Sequence, residues 1–398
     1  MIGTGWMSVA PLETEAAPKE ADLANWRNSP FSSWAFRNIR SILPVADIAP
    51  SVEAVLPLPV RSMSFEQFRL GDKGGVTLRL DDVLRATATD GIVILHEGRV
   101  VYEAYDQGLT PHAPHIIMSA TKSIVGLVTG ILQASGDLDV DAPVSHYLPE
   151  MAATAYAGAT IRHLLDMRTG IEFDERTLRA YAVATNWEPL QDGEATQGLC
   201  AFFQSLKLPH KPHDGAFKYV SANTDLLGWA IERATGKSFA ALVSDLLWKP
   251  MGAEDAGYIT LDREGLSRCT GGLCTTVRDL ARVGQLMLMG GCRDGREVVP
   301  ASWLDDIADN GDRNAWKQGG FGAGFGGRDM SYRSGWYVIN DEPKTLFAMG
   351  IHGQNLFVDQ ANRLVIAKLS SQHSPIDPGA MALTHRAVAE IGRCLTGG

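Results

Sequence analysis

Met118-Ser-Ala-Thr-Lys-Ser-Ile-Val-Gly-Leu-Val-Thr-Gly-Ile-Leu-Gln-Ala-Ser135 is the stretch from which the rest of the chain can be read. From Ser119 to about Ser135, the residues Ile124, Val125, Leu127, Val128, Ile131 and Leu132 leave almost no polar stripe. The spacing predicts a helix buried on nearly every side and closed by Gly136 as its C-cap. Ser119 and Lys122 stand three apart at its start and share a face. Burial disfavours an ammonium, so an amine held among apolar neighbours is a base within reach of a hydroxyl nucleophile. Backbone N–H groups of the first turn favour negative charge developing on an attacked carbonyl oxygen. A helix cap followed by a solvated lysine has the same letters, so the tetrapeptide needs support from elsewhere in the chain.

Upstream, Gly91-Ile-Val-Ile-Leu-His-Glu-Gly-Arg-Val-Val-Tyr-Glu-Ala-Tyr105 carries β-branched segments on both sides of Glu97-Gly98, the pattern of an antiparallel hairpin. Downstream, helical patterns run through Ile161–Met167, Ala222–Ala234, Phe239–Leu247 and Val277–Met289, so the middle reads as mostly helical. Strand composition returns at Leu346–His352, Asn355–Asp359 and Leu364–Ser371, and Met381–Leu395 reads as a closing helix. Residues 1 to about 60 show little periodicity and read as an irregular arm. The expectation is an α/β (α+β) protein, an antiparallel sheet flanked by helices with a mainly helical insertion. Its parts are an arm over 1–65, an α/β domain from 66–118 plus 275–398, and a mainly helical domain over 119–274.

Composition narrows the function. With 398 residues, 45% of them hydrophobic and 21% charged, the chain has ordinary globular character and length enough for a large core. A net charge of -10 with no run of Lys or Arg repels polyphosphates, so nucleic acid is not an expected partner. No stretch reaches the ~18 apolar residues of a membrane span, and the opening Met1-to-Pro11 segment lacks the features of an export signal. Cys200, Cys269, Cys274, Cys292 and Cys394 are an odd, scattered set, which points to reduced thiols. The reading is a cytoplasmic protein without metal or cofactor.

Lys218-Tyr219-Val-Ser-Ala-Asn-Thr-Asp225 opens a helix of the form L-L-G-x-x-I-E-x-x-T-G, and Thr160-Ile-Arg-His-Leu-Leu-Asp-Met-Arg-Thr-Gly-Ile171 lies between it and the S-x-x-K serine. Together these segments resemble the serine β-lactamase-related superfamily, which holds class C β-lactamases, penicillin-binding peptidases and β-lactamase-like carboxylesterases. The 6-aminohexanoate-dimer hydrolase family within it is the nearest likeness. That likeness extends to Arg278–Gly284, Gly350-Ile-His-Gly-Gln-Asn-Leu356 and Val365–Ser371, in the same order. The resemblance implies a β-lactamase/penicillin-binding-protein-like fold and hydrolysis of a small-molecule ester or linear amide. It implies Ser119 as the acylated nucleophile, Lys122 as its base and Tyr219 as a proton relay. Beside a lysine ammonium the phenolate of Tyr219 would be favoured. A homodimer is the assembly the relatives suggest, and the sequence leaves it open.

Departures from the superfamily matter. His352-Gly353-Gln354 stands where β-lactamases place K-T-G, and Ser221 where many relatives have the asparagine of Y-x-N. Without that lysine, a β-lactam or peptidoglycan carboxylate has a weaker anchor. A β-lactamase or D-amino-acid peptidase is thus the alternative enzyme, and a non-catalytic sensor module the alternative of another class. His352-Gly353 is expected on an edge strand beside the serine, its backbone completing an oxyanion hole and His352 orienting substrate or Tyr219. Gln354, Ser221, Asn223 and Trp187 are further substrate-side candidates, with Trp336 a second tryptophan for an acyl pocket. Relatives hold the amide with a tyrosine and acids in a mobile loop; Tyr181, Asp174 and Glu175 all compete for that place. Gly322-Ala-Gly-Phe-Gly-Gly327 fits G-x-G-x-x-G without a strand-to-helix unit and reads as a flexible rim loop. The pairs His112/His115 and His210/His213 are proline-interrupted and read as loop histidines.

Overall fold

Strands that read as continuous apolar runs, without alternation, belong in a sheet covered on both faces. The computed structural model, which describes residues 21–52, 54–71, 75–194, 197–207 and 211–397, contains such a sheet. Met1–Pro11 and His210 lie outside the described residues. Its strands are β1 (Thr89–His96), β2 (Arg99–Tyr105), β3 (Met330–Arg333), β4 (Trp336–Ile339), β5 (Thr345–Gly350), β6 (Gln354–Asp359) and β7 (Leu364–Ser370). They are antiparallel and hydrogen-bonded in the order β3-β4-β5-β6-β7-β1-β2. The predicted hairpin at Glu97-Gly98 is the β1–β2 turn, and both residues adopt positive φ there.

Five helices concern the site: α1 (Thr121–Ser135), α2 (Glu175–Ala184), α3 (Ala222–Thr235), α4 (Val277–Leu288) and α5 (Pro378–Thr396). One sheet face, with Val93, Leu95, Leu356, Val365 and Ala367, packs on Leu280 and Val283 of α4 and continues into the helical core. The opposite face, with Ile92, Ile94, Phe347, Phe357 and Ile366, is covered by Ala387 and Ile391 of α5 together with the Leu80–Ala86 helix. Among the described residues no helix is long and apolar enough to cross a membrane.

Several elements depart from the sequence reading. The middle is not only helical: Gly257–Thr260 and Leu273–Thr275 join Val45–Ile48 of the arm and His115–Ile116 in a second, four-stranded sheet. These strands are two to four residues long, too short for a periodic signal. The arm is therefore stitched into the sheet that leads to Ser119. Conversely, Glu175–Ala184 is a helix where a loop was expected; Asp174 caps it by accepting the Thr177 N–H at 2.8 Å.

Helix α1 is buried as its composition requires, and Gly136 closes it at φ 81°. Close packing at its first turns depends on the β3–β4 hairpin. Trp336 Nε1 donates to the Ser123 carbonyl at 3.1 Å, Ser123 Oγ donates to Gly335 O at 2.6 Å, and Trp303 Nε1 donates to Gly126 O at 3.0 Å. Gly126 is needed because a Cβ there would lie 1.8 Å from Ser334 O. Asp166 locks that hairpin by accepting Ser334 N–H at 2.8 Å and Arg333 Nη1 at 2.7 Å. Gly126→Ala should therefore force helix and hairpin apart at a cost of about 1–3 kcal/mol, measured as a lowered midpoint in urea or thermal unfolding; an unchanged midpoint would contradict this packing.

Candidate active site

The route to Ser119 starts in the four-stranded sheet. His115-Ile116 pairs with Cys274-Thr275, and Ile117 N–H donates to Leu273 O at 2.9 Å. Met118 then turns sharply, at φ 48°, in the left-handed region that costs a non-glycine residue about 1 kcal/mol or more. Ser119 sits in a 3₁₀ turn, Met118–Ala120, and the α-helix proper begins only at Thr121. The serine hydroxyl is thereby held at the floor of a cavity of about 570 Å³.

Lys122 reaches it as the spacing predicts. Its Nζ donates to Ser119 Oγ at 2.9 Å and to the Thr270 carbonyl at 2.9 Å, with the amine 4.9 Å from the centre of the Tyr219 ring. The side chain is buried, and burial, reinforced by the nearby Arg268 guanidinium, holds Lys122 well below the ordinary lysine range. Burial acts on Tyr219 in the opposite sense: its phenol is pushed up to about 12, with hydrogen bonds to Ser119 and Tyr337 and the charge of Arg268 offsetting only part of the rise. The raised phenol runs against the expectation of a favoured phenolate: burial, the largest influence on both groups, favours the amine form of Lys122 and the phenol form of Tyr219.

Of the substrate-side candidates, Tyr181, Trp187, Ser221 and Gly353 line the same cavity as Ser119 and Tyr219. The side chains of His352, Gln354 and Asn223 do not. His352 is buried beneath the cavity, its Nδ1 2.7 Å from the Gln372 carbonyl and its ring edge-on to Phe36. Gln354 spends its amide on the backbone of Ser370, donating to the carbonyl at 2.6 Å and accepting the N–H at 3.0 Å. Asn223 accepts from Tyr156 OH at 3.0 Å and bonds Thr169 Oγ1. All three are buried amides or imidazoles hydrogen-bonded to the frame, His352 through Nδ1 alone with Nε2 buried and unpartnered, and the sequence pattern does not distinguish such groups from ligands. Trp336 likewise lies in the core.

The edge-strand expectation is also corrected. Ile351–Gly353 is a single 3₁₀ turn joining β5 to β6, two central strands, and His352 adopts φ 61° within it. The residue that abuts the serine is Gly350, two positions before His352. A Cβ on Gly350 would lie 2.5 Å from Ile117 O and 3.0 Å from Ser119 N, so only glycine lets β5 approach the serine backbone. Ile351 follows it into the cavity wall.

The three candidates for the amide-holding place lie in different surroundings. Asp174 and Glu175 are exposed at the start of α2, whereas Tyr181 faces the cavity and donates to Asp225 Oδ2 at 2.5 Å. The sequence reading missed Arg268, Asp225, Thr270, Phe321 and Tyr337. Phe321 stacks on Tyr219 at 5.5 Å from a helical turn, Phe321–Phe325, inside the stretch read as a rim loop. Tyr337 was hidden in β4, a strand too short to recognise, and Arg268 in a segment without periodicity. His112 meets Asp255 while His115 meets Asp90, so that H-x-x-H pair does not converge.

Comparison with known proteins identifies the family. A family model described as Beta-lactamase matches residues 74–391. The 6-aminohexanoate-dimer hydrolase of Paenarthrobacter ureafaciens is 34% identical over 366 residues, 90% of each chain. Esterase EstB of Burkholderia gladioli is 32% identical over 156 residues, 37% of this chain and 39% of that one. A solved structure from Bacillus anthracis, itself assigned only provisionally as a 6-aminohexanoate-dimer hydrolase, superposes with a TM-score of 0.87 at 24% identity, covering 96% of this chain and 98% of its own. Gly350→Ala should displace the Ser119 turn and slow its labelling by a serine-directed phosphonate by about 10²-fold; labelling at the wild-type rate would refute the close approach.

Proposed function

The chain belongs to the beta-lactamase family, and on that premise we propose that it is a serine hydrolase of carboxylic esters and linear amides of the 6-aminohexanoate-dimer type. The observation that carries the reading is the 2.9 Å contact between a buried lysine amine and Ser119 Oγ on the floor of a cavity that Tyr219 also lines. In the proposed reaction Lys122 Nζ takes the Ser119 proton while Oγ attacks the substrate carbonyl. The amides of Ser119 and Ile351, brought together by Gly350, receive the oxyanion. Tyr219, a phenol across the neutral range, donates a proton to the departing alcohol or amine, and water then releases the acid by the reverse relay. Tyr181, Trp187, Ser221 and Gly353 would shape the substrate side.

Esters are the favoured substrates. The Tyr181 hydroxyl already donates to Asp225, which leaves Tyr219 as the proton donor for an amine leaving group, and esters need less protonation to break. The β-lactamase or peptidase alternative loses support because His352 faces Gln372 beneath the cavity and offers no cation to a carboxylate. The cleft would lie between the α/β part, 66–118 plus 275–398, and the helical part, 119–274. Five free thiols support a reducing, cytoplasmic setting.

Hydrolysis of p-nitrophenyl butyrate and of the linear 6-aminohexanoate dimer, followed by mass spectrometry, tests the reading. Both products with wild type and neither with Ser119→Ala is the expected result; turnover by Ser119→Ala would refute it. A chromogenic β-lactam that acylates Ser119 and turns over would instead favour the alternative enzyme.

The pH dependence has a defined sign. Lys122 acts as the neutral amine, and its pKa is lowered, so that form persists to lower pH and is lost as pH falls through the lowered value. Ester hydrolysis should rise with pH along a limb centred well below the ordinary lysine value of 10.5 and decline only as Tyr219 ionises near 12. A limb at 10.5 would show that Lys122 is solvated.

A further inference from the structure

We propose that the buried pair Asp225 and Arg268 are positioning residues, which aim Lys122 at Ser119 and set, with opposite signs, the pH at which it acts. The inference rests on the reading of Lys122 as the base. Asp225, on the first turn of α3, is fully buried. One carboxylate oxygen accepts the Thr270 N–H at 2.8 Å; the other accepts Tyr181 OH at 2.5 Å and pairs with Arg268. The carbonyl of that same Thr270 is the one that holds Lys122 Nζ at 2.9 Å. The Thr270 hydroxyl donates to the Ser221 carbonyl, two residues beyond Tyr219. A single carboxylate therefore fixes the group that aims the lysine, the loop that carries the tyrosine, and the cavity wall at Tyr181.

Arg268 completes the arrangement. Its guanidinium lies 4.9 Å from the Tyr181 ring centre and 4.8 Å from that of Trp187, and Nη1 donates to Tyr181 OH at 2.7 Å. The groups acting electrostatically on it are Asp225, Tyr181, Tyr219, Cys269 and Arg27, the last of which is paired at 2.8 Å with Glu188. Around Lys122 the corresponding groups are Ser119, Tyr219, the Thr270 carbonyl and Arg268. In a site this dry, a fixed cation opposes a second cation and a fixed carboxylate favours one. The pair carries no net charge, yet its cationic end is the one that already holds Lys122 down; removing Asp225 leaves that cation unopposed, and removing Arg268 takes it away.

The test is the acid limb of kcat/KM for p-nitrophenyl butyrate. Arg268→Gln leaves the carboxylate unopposed, so the limb should move up by about 1 pH unit. Asp225→Asn, which retains acceptor and donor geometry, leaves the guanidinium unopposed and should move it down. Arg268→Lys keeps the charge and should keep the limb at the wild-type position with a lower kcat. The double variant Asp225→Asn/Arg268→Gln should fall between the two single variants. A purely structural pair would lower activity in all variants with one common limb. Each folded variant, checked by circular dichroism, decides by itself: an unmoved limb or one moved the wrong way in either single variant overturns the proposal, as does a double variant outside the range of the singles or a shift in Arg268→Lys. Lys122→Met separates this from the underlying reading: if it retains the wild-type profile, Lys122 is not the base, whereas its inactivity beside unmoved limbs in the pair variants removes only the present inference.

Discussion

A primary amine buried against a serine hydroxyl is the constraint from which the arrangement around it follows. An ammonium taken out of water costs several kcal/mol unless it is paired. Among the described residues no carboxylate contacts Lys122 Nζ; its hydrogen-bond partners are a hydroxyl and a carbonyl, and burial holds the amine well below the ordinary lysine range. The same burial raises the Tyr219 phenol. In the proposed reaction a proton passes from serine to lysine and from tyrosine to a leaving group, a relay that amine and phenol forms suit.

Keeping the amine buried requires that helix α1, the β3–β4 hairpin and the four-stranded sheet meet with little clearance. Gly126, Gly335 and Gly350 are places where backbone closely approaches backbone, the first two behind the lysine and the last beside the serine. The strained turn at Met118 belongs to the same junction. Left-handed backbone at a non-glycine residue persists only where its surroundings over-determine it, and here the strand before it and the helix after it are both anchored. Strain, close approach and burial fall at one point in the fold because all three serve one geometry.

Buried charge is handled differently on the two sides of the site. Asp225 and Arg268 are paired within the wall, where leaving either alone would cost about 3–5 kcal/mol. His352, Gln354 and Asn223 are held by hydrogen bonds to carbonyls, amides and hydroxyls, with Nε2 of His352 the one ring nitrogen among them left unpartnered. Polar residues around the cavity thus divide into those that face substrate and those that hold the frame, and residue type does not separate the two.

That division marks the line between sequence and tertiary structure. Helix α1, the β1–β2 hairpin, strands β5 to β7 and helices α3 to α5 were legible because each is long enough for its apolar pattern to declare a period or a continuous run. Ser119, Lys122 and Tyr219 were legible because the first two are neighbours on a single helix turn and the third opens a recognisable one. The four-stranded sheet was not, since strands of two to four residues contain no period, and neither was α2, whose cap and mixed surface read as loop. Arg268, Thr270 and Tyr337 reach the site from positions 49, 51 and 118 residues beyond Tyr219, and local pattern carries no information about such distant partners. The turn of His352 away from the cavity, the lowering of Lys122 and the raising of Tyr219 were decided by which groups were desolvated together, and burial is a property that only the folded chain possesses.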